Sequence, residues 1–268
     1  MKKLKFWGPL LILLPWAAFA LLGQALPLNP NQISLEHILS GSMEETWLGY
    51  DDLGRPLADR LIIGAQTSFF VSMIVVSLSF MVGGLIGMTS GYVGGLFDHT
   101  ISRIMDIFLA FPGMLLAIAL AGMMGPGIGN VVIALTIVGW VGYARLARAQ
   151  VLSLKERDHI MAAMAVGTST FRILTQHIAP LVMAPLMIEA SFGIAGVIIG
   201  EAGLSFLGLG IQPPSASWGS MIRDGTRYML VAPHMVIIPG VTLMLVVLSI
   251  NLFGDWLRDW LDVKGKVQ

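Results

Sequence analysis

Residues 67–92 have the sequence TSFFVSMIVVSLSFMVGGLIGMTSGY, a run of 26 residues without a charged side chain. A helix needs about 20 mostly apolar residues to cross the hydrocarbon core of a bilayer. The run is therefore long enough to span a membrane and longer than the apolar stretch of a typical buried core helix. We predict a transmembrane helix here.

Five further apolar runs lie on either side of this one. The six predicted spans are residues 6–28, 67–92, 107–125, 130–149, 181–204 and 231–256. Of the 268 residues, 56% are hydrophobic and only 12% are charged, about half the charged share of a soluble domain. We predict an all-α polytopic membrane protein with about six transmembrane helices, in which residues 1–66 form an anchor with an outer segment and residues 67–268 form one membrane domain.

The first apolar run, residues 6–28, has features of a membrane anchor and of a signal peptide. Lysines at positions 2, 3 and 5 precede it, and Ala18 and Ala20 have the spacing of a signal-peptide cleavage site. The apolar stretch continues to Leu28, beyond the usual length of a signal core. We favour an uncleaved anchor, and a cleaved signal peptide is the alternative.

The basic residues predict the orientation of the chain. If both termini are cytoplasmic, twelve Lys and Arg residues lie inside and four lie outside, which is the bias of the positive-inside rule. The twelve are Lys2, Lys3, Lys5, Arg103, Arg145, Arg148, Lys155, Arg157, Arg172, Arg258, Lys264 and Lys266, and the four are Arg55, Arg60, Arg223 and Arg227. The opposite orientation reverses the bias, so we predict that both termini are cytoplasmic.

A glycine repeat begins inside the second predicted span and continues past its end. Gly83, Gly87, Gly91 and Gly95 recur at every fourth residue, which strips one helix face of side chains and lets another backbone approach closely. We predict a helix-packing face. Packing within this chain is favoured, and contact with a second subunit is the alternative.

The longest predicted cytoplasmic stretch is residues 150–180. Ile160 and Met164 before Gly167, and apolar residues after it, recur at helical intervals. A glycine can end one helix before Thr168 caps the next. We predict two short cytoplasmic helices that are too apolar to stay uncovered in water, so they need a docking surface. The alternative is that they lie against the membrane or their own bundle.

Motifs of catalysis are missing from the sequence. It contains no G-x-x-x-x-G-K-[ST] phosphate loop, no H-E-x-x-H metal pair and no G-x-S-x-G nucleophile elbow, and its five histidines are scattered. Cysteine is absent, and the net charge of zero provides no overall attraction for nucleic acid. We predict a chain that is not an enzyme and has no metal site.

Two carboxylates stand inside the fifth apolar run. Glu189 and Glu201 would each cost several kcal/mol there unless they are protonated, hydrated or paired, so a functional role is the default hypothesis. The alternative for Glu201 is that it caps neighbouring backbone groups. For Glu189, which is closer to the predicted cytoplasmic end, a structural role is favoured.

Several longer motifs carry a resemblance to a known family. They are LGYDDLGR at 48–55, RIMD at 103–106 with AFP at 110–112, GYAR at 142–145, LSFLGLG at 204–210 with QPP at 212–214 and WG at 218–219, and NLFGD at 251–255 with LRD at 257–259. The chain resembles the inner-membrane permeases of the dipeptide, oligopeptide and nickel importers that are driven by ATP-binding cassette (ABC) subunits. The resemblance covers nearly everything from Trp47 onward.

By this resemblance, the cytoplasmic stretch is the coupling segment that docks on an ATPase. The family pattern is Glu-Ala-Ala, three residues, Gly, nine residues and a tail ending in Pro. The matching positions here are Met161, Ala162, Ala163, Gly167, His177 and Pro180. Met161 stands where the family usually has glutamate and Ala179 where leucine is common, so no ion pair with the ATPase is expected at position 161.

The resemblance also implies partners and cargo. It implies a bacterial inner-membrane subunit that pairs with a second permease, docks two ABC ATPases and receives solute from a periplasmic binding protein. ATP and Mg²⁺ would be held by the partner subunits, with no cofactor on this chain. Glu189, Glu201 and Ser205 are then candidates for the translocation pathway.

Other functions stay open. Di- or oligopeptides are the favoured solutes, and nickel or another metal chelate is the alternative. A different class is a proton-coupled secondary transporter that uses Glu189 or Glu201. A membrane protein with only a structural or assembly role is a further possibility.

Overall fold

The computed structural model describes residues 2–42 and 46–261. These residues form helices joined by loops, and their β structure is an isolated bridge between Tyr50 and Pro56. The predicted all-α fold is therefore confirmed. The α-helices are α1 Lys2–Leu22, α2 Leu57–Val93, α3 Gly95–Leu109, α4 Gly113–Met124, α5 Ile128–Leu154, α6 Asp158–Ala165, α7 Thr170–Arg172, α8 Ala179–Phe206, α9 Trp218–Thr226 and α10 His234–Leu261.

Four helical stretches in the described part of the chain are long and apolar enough to cross a membrane. They are α2, α5, α10 and the continuous stretch Thr170–Phe206, and α3 with α4 makes a fifth if the pair is one broken span. The apolar part of α1, Trp7–Leu22, is shorter. The count of six spans and the cytoplasmic position of both termini stay predictions. Lys264 and Lys266, which support the prediction that both termini are cytoplasmic, lie outside the described residues.

The helix that contains residues 67–92 is longer than predicted. α2 has 37 residues, or about 55 Å at 1.5 Å per residue, against roughly 30 Å for the hydrocarbon core. It begins at Leu57 after Pro56, because a proline at a helix start loses no hydrogen bond. It ends before Gly94, whose φ of 70° few other residues adopt. The helix is therefore longer than the hydrocarbon core is thick.

The third predicted span is not one straight helix. Where residues 107–125 were expected to form a single helix, α3 ends at Leu109 and α4 begins at Gly113, and the two axes differ by 84°. Pro112 explains the break, since it lacks an N–H and disfavours helical geometry in the residue before it. This part of the chain is therefore two short helices joined by a sharp bend.

The prediction of two short cytoplasmic helices is also wrong for the second one. α6 is a separate helix of 8 residues, but α7 passes through the π-helical segment Ile173–Ile178 directly into α8. Pro180 has no N–H to donate to the preceding turn, which accounts for the widened turn before it. Thr168 is not the cap, because the residue at the N-cap position of α7 is Ser169. The second half of the segment is thus the first part of a helix that is long enough to span the membrane.

Three of the four repeated glycines form the predicted packing face. A Cβ at Gly83, Gly87 or Gly91 would collide with the α5 carbonyl oxygens of Trp140, Ala144 and Arg148, respectively. The contact lies within this chain, as favoured from the sequence. Gly95 is not part of it, because nothing lies within 4 Å of its Cβ position and its φ is 60° at the start of α3. A Cβ is excluded at the first three positions because two helix backbones touch there.

The bundle is organised around α2. This helix packs most extensively on α5 and also contacts α8 and α1, while α10 packs on α1, α8 and α9. Val71 and Val75 of α2 are buried in the middle of the bundle with Leu204 of α8. The arrangement leaves α6 outside the spans, against the ends of α5 and α8.

Candidate functional site

One face of α6 is held against the bundle. Ile160 is fully buried and packs with Val151 and Leu154 at the end of α5. Ile173 and Ile178 of the π-helical segment belong to the same buried cluster. Packing therefore fixes α6 relative to both α5 and the first part of the Thr170–Phe206 stretch. Ala163 is on this buried face, so it supports α6 and is not available for contact with a partner.

The opposite face of α6 and the turn beyond it are uncovered. Met161 is 47% exposed, Met164 42%, Val166 82% and Phe171 77%. We call these four residues the coupling surface. Ala162 is exposed beside them. Exposed apolar side chains grouped on a short helix and the turn after it are typical of an interaction site. The bundle therefore covers one side of α6 and leaves the other for a partner or a membrane.

Gly167 makes the turn between α6 and α7. Its φ of 79° is in the left-handed region, and nothing lies within 4 Å of its Cβ position. Glycine is required here by backbone conformation and not by lack of space. The other two positions of the family pattern lie beyond the turn, His177 in the π-helical segment and Pro180 in α8.

A cavity of about 520 Å³ lies between α2, α4, α5 and α8. Gly193, Gly196, Gly200 and Gly203 form much of its α8 wall, and most of its other lining residues are apolar. Glu189 stands at the same wall, with its side chain exposed in the isolated chain. This carboxylate therefore has access to the space between the spans.

Glu201 and Ser205 lie elsewhere, in a buried polar cluster. Glu201 is 1% exposed, and its Oε1 accepts a 2.7 Å hydrogen bond from the Ser205 hydroxyl. The same hydroxyl accepts a bond from the backbone N–H of Ile211 at 3.2 Å. Neither residue lines the cavity. Glu201 and Ser205 thus tie the end of α8 to the following loop, whereas Glu189 is the more accessible of the two carboxylates. The roles of all three residues in a translocation pathway stay predictions.

Two cavity residues had not been singled out from the sequence as site residues. Tyr143 and Ser79 line the cavity beside Glu189, and both are at least 95% buried by residue. Their hydroxyl oxygens have no hydrogen-bond partner within the described residues. Tyr143 belongs to the GYAR motif, so a signal was present, whereas a lone serine in an apolar run carries none.

The LGYDDLGR motif, between α1 and α2, forms a buried ionic network with Arg60 at the start of α2. Asp51 accepts a bond from Arg55 Nε at 2.6 Å and lies 3.4 Å from Arg60 Nε. Its Oδ1 also accepts backbone bonds from Leu53 and Arg55, both at 2.9 Å. Burial, together with the charge of Asp51, raises the pKa of Asp52. The network fixes the loop that leads into α2.

A second ion pair lies at the other end of α2. Arg148 of α5 donates two hydrogen bonds to Asp98 of α3, at 2.5 and 2.6 Å, and Ser90 of α2 donates a third at 2.6 Å. The bidentate geometry makes this a strong pair. It joins three helices at the end of the glycine contact.

Spans that line a cavity, beside a helix with an uncovered apolar face, are the arrangement expected of a membrane transport subunit that works with a partner. No group of three or more possible metal-binding side chains occurs among residues 2–42 and 46–261. The chain belongs to the family of binding-protein-dependent transport system inner membrane components, whose profile matches residues 83–265.

Relatives and one solved structure agree with this family. The chain is 43% identical to the dipeptide transport system permease protein DppC of Alkalihalophilus pseudofirmus, over 85% of this chain and 75% of the relative. It is 40% identical to the glutathione transport system permease protein GsiD of Pectobacterium atrosepticum, over 88% and 78%. It is 39% identical to the di/tripeptide transport system permease protein DppC of Pseudomonas aeruginosa, over 94% and 82%.

One structural match is to a chain of the MetNI methionine ABC transporter in an inward-facing conformation. The TM-score is 0.59 at 18% identity, over 76% of this chain and 97% of that one. Together with the family, it confirms the prediction of a multi-pass inner-membrane permease subunit of an ABC importer. This chain is therefore a transport subunit and not an enzyme, and a permease partner and ATPase subunits are implied.

Proposed function

We propose that this permease pairs with a second one and imports di- or oligopeptides that a periplasmic binding protein delivers. The names of three relatives, which transport dipeptides, di- and tripeptides and glutathione, support the peptide class. The observation that carries the coupling role is the uncovered coupling surface on a helix otherwise packed against the bundle. ATP and Mg²⁺ are assigned to the partner subunits, and no cofactor to this chain.

The coupling route follows from helix continuity. The 37-residue stretch Thr170–Phe206 runs from the coupling surface into the membrane without a loop. A displacement of α6 by a docked ATPase passes into this stretch through the Gly167 turn and through the buried cluster that joins Ile160 to Ile173 and Ile178. From there it reaches the wall that carries Glu189 along α8. Shifting a two-state bundle from 1:99 to 99:1 requires about 5.5 kcal/mol of differential binding, which an ATP-driven cycle can supply.

The proposal assigns parts of the chain as follows. Residues 1–66 are the anchor and outer segment, residues 67–268 are the permease domain, and residues from about 150 to 180 are the coupling segment. Met161, Ala162 and Phe171 contact the ATPase, and Gly167 sets the turn. Glu189 is the pathway carboxylate, while Glu201 and Ser205 support the end of α8.

Charge on the coupling surface tests the docking role. Phe171→Glu removes apolar contact worth about 1.5–3 kcal/mol for a buried Phe, so ATPase subunits should co-purify with this chain at least tenfold less. Leu35→Glu is the matched control, because Leu35 is 76% exposed in the outer segment and distant in sequence from α6. Equal recovery of ATPase with both variants would contradict the docking role.

Uptake by the reconstituted complex tests the solute and the energy source. Import of a dipeptide such as alanyl-alanine should require ATP and the binding protein, and should persist when an uncoupler is added at constant ATP. Loss of uptake with the uncoupler would indicate a proton-coupled transporter instead. Uptake of a nickel chelate without uptake of dipeptide would replace the peptide assignment.

A further inference from the structure

The carboxyl group of Glu201 lies where three helices meet. Glu201 is 1% exposed on α8, and Ser68 of α2, also 1% exposed, has its hydroxyl close to the carboxyl group. The hydroxyl of Ser217, fully buried at the N-cap position of α9, is close to it as well. The backbones of α8 and α9 touch here, because a Cβ at Gly219 would lie 2.6 Å from the Cα of Ala202. Glu201 is therefore enclosed at a junction of α2, α8 and α9.

Glu201 forms none of the ion pairs found in residues 2–42 and 46–261. The charged and titratable groups on the facing helices have other surroundings: Asp59 of α2 accepts a bond from the Asn29 N–H, Arg60 of α2 lies beside Asp51, Arg223 of α9 bonds Asp224 and the Ser205 carbonyl oxygen, Arg227 after α9 is exposed, and His234 of α10 is hydrogen-bonded to the Tyr50 carbonyl oxygen. The helix α4, residues 128–142 of α5 and the loop at 207–217 contain no charged residue. Because its own chain encloses Glu201, neither a second subunit nor a solute reaches it to supply a positive charge.

The hydrogen bonds of Ser205 assign the two oxygens of this carboxyl group. The Ser205 hydroxyl accepts a bond from the Ile211 N–H at 3.2 Å, and it donates its own proton to Glu201 Oε1 at 2.7 Å. Oε1 is therefore an acceptor. Glu201 Oε2 and Ser68 Oγ have no hydrogen-bond partner in the described part of the chain. A proton on Oε2 makes it a donor to the Ser68 hydroxyl oxygen, which satisfies both atoms.

The energetic cost of burial favours the neutral form of the group. An ionised carboxylate that is buried without a positive partner costs far more free energy than a neutral carboxyl group that is hydrogen-bonded. We propose that Glu201 is a proton-binding site: a neutral carboxylic acid that donates to Ser68 through Oε2, accepts from Ser205 through Oε1 and so joins α8 to α2. The site goes beyond the proposed function and does not depend on the solute, because Glu201 does not line the cavity.

Infrared difference spectra of the assembled transporter test the protonation state. The spectrum of the wild type minus that of Glu201→Gln, at about pH 7, should contain the C=O stretching band of a protonated carboxylic acid, shifted to lower frequency after exchange into D₂O. Glu36→Gln, at an exposed glutamate between α1 and α2, is the control and should give carboxylate bands instead. Carboxylate bands in the Glu201 difference would overturn the proposal, and a Tm that also rises with Na⁺ would assign a bound cation in its place.

Ser68→Ala tests the contact between α2 and α8. It leaves the acid proton of Glu201 without an acceptor and should lower the Tm of the assembled transporter by roughly 2–8 °C. In a Glu201→Leu background the same substitution should change Tm little, because both partners are then absent. Ser72→Ala is the matched control, since Ser72 is fully buried one turn along α2 but bonds the Phe69 carbonyl oxygen in its own helix. An equal effect of Ser68→Ala in both backgrounds, as expected for Ser72→Ala, would show that Ser68 and Glu201 are not joined.

The pH dependence of stability gives a third measurement, with Glu201→Gln as a permanent mimic of the neutral acid. In the unfolded chain a glutamate loses its proton above about pH 4.3, whereas the folded chain retains it at Glu201. Unfolding therefore releases a proton, so the Tm of the wild type should fall relative to that of Glu201→Gln as the pH is raised from about 5 to about 8. A Tm difference that stays constant over this range would contradict the proposal, even if Glu201→Leu fails to fold.

Discussion

Gly87→Ala should destabilise this protein, and the structure supplies both the size of the effect and its control. A Cβ at Gly87 would lie 2.8 Å from the carbonyl carbon of Ala144 and 2.9 Å from its Cα, and closer still to its oxygen. All three atoms are helix backbone, so α2 and α5 must move apart by about 1 Å to reach ordinary contact. Overpacking of this kind costs about 1–3 kcal/mol, and rigid neighbours favour the upper end.

The opposing effect is the better helix propensity of alanine. Gly→Ala in a helix interior contributes about 1 kcal/mol of stability. The net loss for Gly87→Ala is therefore about 2 kcal/mol. At Gly84, on the same helix, the nearest atom to a Cβ is the flexible end of Leu186 at 3.4 Å. Gly84→Ala should keep the propensity gain, about 0.5–1 kcal/mol, with little steric cost.

Thermal unfolding followed by tryptophan fluorescence measures both variants, since the chain has seven tryptophans. At about 2–4 °C per kcal/mol, Gly87→Ala should lower Tm by about 4–8 °C and Gly84→Ala should raise it by about 2 °C. If Gly87→Ala were as stable as Gly84→Ala, the α2–α5 backbone contact would not exist as described.

Three further predictions concern the turn at Gly167 and the buried ionic network around Asp51. Gly167→Leu forces a side chain into a left-handed conformation at a cost of about 1–2 kcal/mol, so peptide uptake should fall while ATP hydrolysis continues. The control is Ala165→Leu, at an exposed helical residue, which should keep uptake coupled to ATP hydrolysis. Coupled uptake in both variants would contradict the prediction. Asp51→Asn removes the carboxylate nearest to the buried Arg55 and Arg60 and leaves Arg55 a 3.7 Å contact with Asp52. It should lower the free energy of unfolding by about 3–5 kcal/mol, checked by denaturant titration. Burial raises the pKa of Asp52 above its usual 3.8, so its charged form weakens folding progressively as pH rises above that value. Asp52→Asn should therefore raise Tm at pH 7 and not at pH 3, and an equal Tm change at both values would refute the assignment.

The lengths of the apolar runs were sufficient to predict an all-α membrane protein, because the bilayer thickness sets a minimum for each span. The same argument could not predict the break in residues 107–125. A proline is often tolerated inside a membrane helix when neighbouring helices satisfy the freed backbone groups. Whether Pro112 kinks a span or divides it therefore depends on the packing around it.

In the coupling segment too, the sequence predicted some features and not others. Helical periodicity located α6 and the turn at Gly167, since both are local properties of the chain. Periodicity did not reveal that the second half is continuous with a span, and the fifth span was predicted to begin only at residue 181, after Pro180. The widened turn before Pro180 is what allowed the helix to continue.

The sequence alone therefore predicted local features of the chain: the lengths of the apolar runs, the turn at Gly167, the glycine repeat and the absence of a nucleotide-binding motif. The tertiary structure decided which polar groups meet. Glu189 and Glu201 look alike in sequence, but they are 12 residues apart on α8, or about 18 Å, and only Glu189 faces the cavity. Its neighbours Tyr143 and Ser79 come from other helices, because contact across a bundle depends on how helices pack and not on the order of residues along the chain.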